Sequence, residues 1–448
     1  MTDPSTLLLM GGVALVIGAV FVFLAWFARL GRLRPETSRK AAHIAVGLCA
    51  VSFGWLFDET GPVVVLSAGG LAFALAVRFV PFLHRAMGAV VHGVSRRSFG
   101  DSCFPIVVPI LHWLAMPERE FYVIPMLVLT LADSAAALVG KRIGRWAYRT
   151  DEGLKTLEGS AALAVVTAAV VLGSLLLWGY EFPRATSIAV LMSILVMLAE
   201  AISWRGLDNL VLPLGSFALL RIYAELPEEM ILIRVAVAVL LTLFAVLWHR
   251  KAGLIGAAGM ASAFTVYACW AIGGGVWAVP PLLILVCLPF LGARHIDARD
   301  DDLGVGVVLS MSAAPLAWLF LHETVALHST LTPYLAAWAG VLGVIWIVRW
   351  NRDRAMGAPD PSLLFKVLAL VVLLCATAWI APGETRDRLS IVLPAIGAFA
   401  LAAIIEQIAN LDTRTISDEA RWAIRMAMVL VSSLVGFAPG IFSTGDGL

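Results

Sequence analysis

The sequence predicts an all-α protein, a polytopic transmembrane helical bundle of about sixteen membrane helices. Of the 448 residues, 60% are hydrophobic and only 14% are charged, whereas soluble domains carry about 25% charged residues. The mean hydropathy is +0.92. Apolar runs close to the roughly 20 residues that cross a bilayer as a helix recur along the chain, and charged residues collect between them.

The first apolar run, residues 7–29, follows no basic stretch and is longer than the core of a cleavable signal. We therefore interpret it as the first membrane helix. The further predicted spans are 41–57, 61–80, 102–116, 121–140, 160–179, 185–203, 210–223, 229–248, 253–272, 276–292, 305–321, 332–348, 363–380, 389–409 and 422–440.

The charge of the connecting loops alternates along this series. The basic loops are 29–40, 78–97, 141–155, Arg205, 249–251, 294–299 and 349–354, and the loops between them are acidic or neutral. Lys and Arg accumulate in cytoplasmic loops of membrane proteins. The pattern predicts a multi-pass integral membrane protein with its N-terminus outside and the basic loops in the cytoplasm.

Charge and cysteine content exclude other classes of partner. The net charge is +1 with no basic stripe, so the sequence predicts the lipid bilayer as a partner and no nucleic acid. The five cysteines form no C-x-x-C pair, which indicates neither a disulfide framework nor a zinc site. We interpret them as small buried apolar residues.

Five polar clusters stand at the predicted cytoplasmic ends of helices in the first 215 residues. They are Arg39-Lys40 with His43, residues 96–101, Asp133, residues 155–160, and Glu200 with 205–209. Ionisable groups in or against a membrane are costly and mark functional sites. Cationic and carboxylate groups gathered on one face suit a Mg²⁺–polyphosphate site, in which Lys and Arg neutralise phosphoryl charge.

Three of these clusters also have a structural interpretation. Asp133, among alanines that permit close helix approach, would pair with a neighbouring Arg. The stretch from Lys155 through Thr156 and Glu158 to Gly159 resembles a capped helix entry. Asp208 and Asn209 suit a turn or an N-cap.

The remaining clusters have structural alternatives too. Arg39 and Lys40 would be ordinary anchors of the cytoplasmic end, although His43 just inside its span is better explained by a substrate-facing role. N-capping of the fourth span explains Asp101 as well as a site does. The acidic stretch Asp297–Asp302 is typical of a solvated loop.

At these residues the sequence resembles the CTP-dependent polyprenol kinases, the family of phytol kinase and dolichol kinase. The resemblance covers about residues 35–250. Its motifs are Ser38-Arg39-Lys40-x-x-His43, residues 132–144 around Asp133, Lys155-Thr156-x-Glu158-Gly159-Ser160, and Asp208-Asn209 followed by Pro213. The family usually has Gly directly before the motif Asp, where this chain has Ala132.

The resemblance implies transfer of the γ-phosphoryl group of CTP to a long isoprenoid alcohol, with Mg²⁺, at the cytoplasmic face. Asp133, Lys155 and Glu158 are then the catalytic candidates, and Asp133 and Glu158 the metal candidates. Asp133 would hold Mg²⁺, Lys155 would bind phosphates, and Glu158 would hold the metal or orient the hydroxyl. The nucleotide-binding candidates are Arg39, Lys40, His43, Thr156, Gly159, Asp208 and Asn209.

The chain is expected to contain two membrane domains, a kinase-like domain at 1–250 and a C-terminal domain at 251–448. The stretch from Lys251 to Leu291 resembles the start of a second membrane family that contains phytyl-phosphate kinases, but that family's later polar motifs are absent. The C-terminal half is therefore a scaffold, a lipid-binding appendage or a second activity.

Two other functions compete with the kinase. The Lys-Thr-x-Glu-Gly stretch is also similar to CTP-dependent phospholipid cytidylyltransferases, although their longer acidic signature is missing. The helix count would suit a secondary transporter, but transporters place charge near the midplane, and here it collects at one face. The sequence leaves the alcohol, the nucleotide preference and the oligomeric state open.

Overall fold

The computed structural model describes most of the chain. The described residues are 3–29, 35–83, 100–151, 153–203, 206–291, 304–325, 330–355, 357, 359–379, 391–410 and 418–437. The predicted cluster residues 96–99, Arg205 and the acidic stretch Asp297–Asp302 lie outside this part, as does the side chain of Asp101. The chain divides into two compact units, Met1–Val239 and Leu240–Leu448.

The first unit contains nine helices and a short hairpin among its described residues, with a tenth helix running across the boundary. Helices are α1 (Pro4–Arg29), α2 (Pro35–Leu56), α3 (Thr60–Phe79), α4 (Gly100–Ala115), α5 (Glu120–Leu127), α6 (Asp133–Ile143), α7 (Leu157–Leu177), α8 (Phe182–Ile202), α9 (Asp208–Glu225) and α10 (Glu228–Ala252). A π-helical segment, Val128–Ala132, joins α5 to α6.

The second unit is also built from helices in its described part. They are α11 (Gly256–Gly273), α12 (Gly275–Cys287), α13 (Val305–Val325), α14 (Leu331–Ala355), α15 (Ser362–Ala376), α16 (Val392–Asn410) and α17 (Asp418–Ser433). Short 3₁₀ turns extend three of them, at Leu288–Leu291, Thr377–Trp379 and Leu434–Phe437.

Ten helices of the described chain are long and apolar enough to cross a membrane, and four shorter ones are apolar. This agrees with a multi-pass, all-α membrane protein. Each of the predicted spans overlaps a helix, but α2 and α9 carry more charge than a typical span. The figure of about sixteen crossings, like the predicted orientation, stays a prediction.

A two-stranded antiparallel hairpin interrupts the helices of the first unit. Strand β1 (Ala147–Thr150) pairs with β2 (Gly153–Thr156), and Tyr148 stands opposite Lys155. The sequence analysis treats this stretch as a loop. Four-residue strands are too short for an alternating apolar pattern to reveal them, and the hairpin places Lys155 on a hydrogen-bonded strand instead of a loop.

The core of the first unit surrounds α5, the π-helical segment and α8, which contain most of its fully buried side chains. Helix α2 approaches α5 closely, and the Tyr122 hydroxyl donates to the Ala50 carbonyl at 2.7 Å. A Cβ atom at Gly47 would overlap the Thr130 side chain. Small residues permit such approach between membrane helices, so α2 is fixed against the segment that precedes Asp133.

The core of the second unit centres on α14, whose residues are buried over most of its length. It packs most extensively on α16. A Cβ atom at Gly343 would overlap the Phe399 backbone. Glu406 of α16 and Arg425 of α17 form a buried ion pair at 3.0 Å, so this unit contains paired charge within its apolar interior.

Candidate functional site

Asp133 is the first residue of α6, directly after the π-helical segment. Its Oδ2 lies 2.6 Å from the Lys40 Nζ of α2, and both side chains are buried. A π turn contains one residue more than an α turn and often occurs at functional sites. The partner of Asp133 in the described structure is thus a lysine 93 residues earlier, where the sequence analysis considers an arginine.

His43 lies one helical turn after Lys40 and faces the same carboxylate. Its Nε2 is 3.6 Å from Asp133 Oδ2 and 3.3 Å from the Leu129 carbonyl. That carbonyl belongs to the π-helical segment. The ring also packs edge-on against Phe104 at 5.6 Å between centroids. His43 therefore joins Asp133 to an aromatic wall on α4.

Lys155 projects from β2 to the end of α8. Its Nζ donates to the Glu200 carboxylate at 2.9 Å and to the Glu200 backbone carbonyl at 2.5 Å. Across the hairpin, the Tyr148 hydroxyl lies 2.8 Å from Ser160 Oγ. Burial, together with the Glu200 carboxylate, raises the pKa of the Tyr148 phenol, so this hydroxyl stays neutral at physiological pH.

Thr156 and Gly159 shape the entry to α7. Thr156 is the N-cap, and its Oγ1 accepts from the Gly159 N–H at 3.2 Å. A Cβ atom at Gly159 would approach Gly140 Cα of α6 to 3.3 Å. The capped helix entry considered from the sequence is present. Both residues also line the cavity described below, so the structural interpretation does not exclude the nucleotide-binding one.

Glu158 has a different environment. Its carboxylate accepts from the backbone N–H of Arg145 at 2.8 Å and of Trp146 at 3.2 Å. It thereby holds the turn that leads into the hairpin, and it is absent from the cavity lining. The predicted catalytic and metal roles of Glu158 stay predictions, and the geometry favours a structural role.

Asp208 and Asn209 begin α9. The Asn209 side chain donates to the Gly100 carbonyl at 2.7 Å, which ties α9 to the start of α4. The Asp208 carboxylate is close enough to Asp133, Glu200, Lys40 and Lys155 to interact with their charges. The start of α9 therefore adds its polar groups to the site around Asp133 and Lys155.

A cavity of about 970 Å³ joins these groups in the first unit. Nine of the ten predicted site residues line it, all except Glu158. Five other polar residues line it, Ser67, Lys141, Ser160, Glu200 and Ser203, and none of them was a predicted site residue. Glu200 belongs to one of the five polar clusters of the sequence, because an acidic residue within an apolar helix marks a functional candidate.

The rest of the cavity is largely apolar and extends between α1, α2, α3 and α4. Its walls include Phe21, Phe73 and Phe104, and the rings of the first two lie 5.1 Å apart between centroids. The cavity is at the upper end of the roughly 300–1,000 Å³ typical of small-molecule sites. One continuous space thus has a charged end and a long apolar arm.

The charged end of the cavity contains carboxylates that are candidate ligands for a divalent metal ion. The described residues contain no group of three His, Cys, Asp or Glu side chains arranged to hold one. Magnesium in nucleotide sites needs less protein, because one or two carboxylates combine with substrate phosphates and water. The carboxylates of Asp133 and Asp208, which line the same end of the cavity, fit that requirement.

The chain is similar to a phytol kinase. That protein, from Synechocystis sp., is 28% identical over 213 residues, which are 46% of this chain and 87% of the relative. The finding confirms the resemblance predicted from the motifs. No protein-family model and no solved structure matches the chain.

Proposed function

We propose that the chain is a CTP-dependent kinase that phosphorylates a long-chain isoprenoid alcohol at the cytoplasmic face of the membrane. The observation that carries this proposal is the cavity of about 970 Å³ with a charged end and an apolar arm. A polyphosphate needs a charged environment and an aliphatic alcohol needs an apolar one. Phosphoryl transfer also requires the γ-phosphoryl group and the alcohol hydroxyl to lie next to each other. The similarity to a phytol kinase supports the same conclusion.

The charged end suits the nucleotide phosphates. Arg39, Lys40 and Lys155 supply positive charge at this end of the cavity, and Asp133 with Asp208 would supply oxygen ligands for Mg²⁺. When bound, the metal ion would neutralise phosphate charge. Catalysis of phosphoryl transfer depends mainly on positioning and on electrostatic stabilisation. The Asp133–Lys40 pair at 2.6 Å holds one carboxylate in a fixed orientation before any substrate arrives.

The apolar arm suits the alcohol chain. Lipid tails are as apolar as a protein wall, so moving the chain from bilayer to cavity gains little hydrophobic energy. The arm therefore selects by shape and brings the hydroxyl to the charged end. There the alcohol oxygen forms a bond to the γ-phosphorus while the bond between the γ-phosphorus and the β–γ bridging oxygen breaks. CDP leaves, and the hydroxyl proton passes to solvent or a nearby base.

The test uses purified full-length protein, a C20 isoprenoid alcohol, Mg²⁺ and either CTP or ATP labelled in the γ-phosphate. We expect label in a lipid monophosphate with CTP. Because Asp133 and Lys155 lie at the charged end, Asp133→Ala and Lys155→Ala should each lower the rate at least about a hundredfold, the order of one lost electrostatic contact in catalysis.

Retained activity in both variants would contradict the site assignment. A preference for ATP over CTP would contradict the assignment of CTP as the phosphoryl donor. CTP labelled in the α-phosphate distinguishes a kinase from the alternative, a cytidylyltransferase. A kinase leaves that label in CDP, whereas a cytidylyltransferase transfers it to the lipid and releases pyrophosphate.

A further inference from the structure

A second buried polar feature lies in the unit Leu240–Leu448, near the end of α14. Arg349 is 8% exposed, and its Nη1 donates to the Leu291 carbonyl at 2.6 Å. Its Nη2 is buried and has no hydrogen-bond partner in the described part of the chain. A buried guanidinium N–H without an acceptor is costly. An external acceptor would remove that cost.

A cavity of about 100 Å³ adjoins this guanidinium. That space exceeds the 10–15 Å³ which one water molecule requires. Arg349, Arg352 and Arg425 line it together with the hydroxyl side chains of Ser262, Thr265 and Ser312, and the rest of its lining is apolar. The apolar walls include Ile284, Leu288, Val308, Met311, Trp338 and Val341.

The nearby carboxylates of the described residues leave Arg349 Nη2 without an acceptor. Glu406 neutralises Arg425 within a buried ion pair at 3.0 Å. Asp353 acts on Arg349 only through its charge and gives Nη2 no hydrogen bond. Arg349 therefore presents a buried donor to a largely apolar cavity, an arrangement suited to an anion that carries an aliphatic chain.

We propose that this cavity binds the headgroup of a lipid phosphate, with the phosphate oxygens on Arg349 and the adjoining part of the chain along the apolar walls. The planar guanidinium donates in parallel to two phosphate oxygens, which makes arginine the favoured residue for such contacts. The site lies within the second unit and needs no catalysis by the first. It therefore stands or falls independently of the proposed kinase activity.

The experiment locates bound lipid by photolabelling full-length protein in detergent. The probes are phosphatidylglycerol and a C20 isoprenyl monophosphate, each with a diazirine in the chain, beside diazirine-bearing diacylglycerol and fatty acid. Labelled peptides are mapped by mass spectrometry, which distinguishes this cavity from the one in the first unit. We expect at least one of the two phosphates to label the walls near Ile284 and Val341, and both neutral diacylglycerol and fatty acid to label them weakly.

Three variants test the contact. Arg349→Gln should lower wall labelling at least tenfold, whereas Arg354→Gln, which removes an exposed arginine from the same helix, should stay within twofold of wild type. Val308→Phe fills the cavity from a half-buried wall position and should also lower labelling, which keeps the test decisive if Arg349→Gln unfolds.

Labelling by phosphatidylglycerol alone identifies the ligand as a bilayer lipid, and labelling by the isoprenyl phosphate alone identifies it as an isoprenoid phosphate. Either result, or both, supports the site. Equal labelling by diacylglycerol or fatty acid would overturn the phosphate assignment. Unchanged labelling in folded Arg349→Gln and Val308→Phe proteins would overturn the site itself.

Discussion

Individual side chains in the first unit separate into those that face the cavity and those that build its frame. Asp133 and Lys155 face it, each held by a partner of opposite charge, Lys40 and Glu200. Breaking a buried ion pair by removing one partner typically costs about 3–5 kcal/mol. Lys40 and Asp133 are both buried, so substituting either affects folding as well as chemistry, and stability needs to be measured beside activity.

Glu158 provides the sharpest test of the role of a single side chain. Glutamine keeps an oxygen that accepts from the Arg145 and Trp146 N–H groups but removes the charge a metal ion would need. Because the carboxylate supports the turn before the hairpin, we expect Glu158→Gln to keep activity within about threefold of wild type. The measurement is the rate of lipid phosphate formation at saturating CTP and Mg²⁺.

Glu158→Ala serves as the companion variant, since it leaves both backbone donors without their acceptor. It should lower the thermal unfolding temperature and the activity together. A loss of about a hundredfold in a stably folded Glu158→Gln protein would instead support the metal role predicted from the sequence.

Sequence alone identified most of the site residues but not their pairing. Nine of the ten predicted residues line one cavity, because charged residues at apolar helix ends are conspicuous in any membrane sequence. The contact of Lys40 with Asp133 spans 93 residues, and no local pattern specifies it. Glu200 was visible as a charge in an apolar helix, yet its contact with Lys155 depends on a hairpin too short to predict.

Among the elements, α2 and the π-helical segment Val128–Ala132 matter most to the site, because together they orient Asp133. The sequence located both as parts of apolar spans. It could not reveal the π turn, since one additional residue per turn leaves the hydrophobic composition unchanged. The close approach of Gly47 to Thr130 now explains why a glycine occupies that position in α2.

Gly47→Ala should therefore damage the site from outside it. The added methyl group overlaps Thr130 and forces α2 away from the segment that carries Asp133. Overpacking of this kind costs about 1–3 kcal/mol, and we expect activity to fall at least about tenfold. Thermal unfolding in detergent and kinase rate are the two measurements.

The double variant Gly47→Ala/Thr130→Ala removes most of the overlapping atoms and should recover part of both losses. If the single variant matches wild type in stability and rate, the close packing of these two elements is not what orients Asp133.

Helix α1 offers a test of the apolar arm. A Cβ atom added at Gly18 or at Gly12 would meet no other atom within 4 Å. Gly18 lines the cavity, whereas Gly12 on the same helix does not. Gly18→Phe places a ring in the arm, so we expect at least a fivefold loss of activity on a C20 alcohol. Gly12→Phe should leave that activity unchanged.

A C5 isoprenoid alcohol occupies less of the arm and should be phosphorylated almost equally by wild type and Gly18→Phe. Equal losses on both alcohols, or equal losses in both variants, would contradict the assignment of this arm to the alcohol chain.

For the whole chain, the decisive feature is its division into the units Met1–Val239 and Leu240–Leu448. All residues that line the larger cavity fall between Ala14 and Asn209. A fragment of residues 1–253 preserves all of α10 and removes the rest. We expect it to keep at least about a third of the full-length rate, measured per mole of monodisperse protein.

The fragment's outcome also bears on the second unit. A fragment that is monodisperse, melts cooperatively and yet phosphorylates nothing would show that the C-terminal half takes part in the reaction. The apolar composition of that half was plain from the sequence, but the burial of Arg349 beside a cavity was not, because Arg349 stands in a run of basic residues that resembles an ordinary loop.

The π turn before Asp133 has a consequence for comparing this chain with its relatives. A relative that spans the same stretch with a regular α-helix needs one residue fewer between the helix start and the aspartate. Placing the two aspartates at the same point in space then requires a gap in their alignment, although both spans read as uninterrupted apolar sequence. Related chains are therefore better compared by the length of this segment than by its composition.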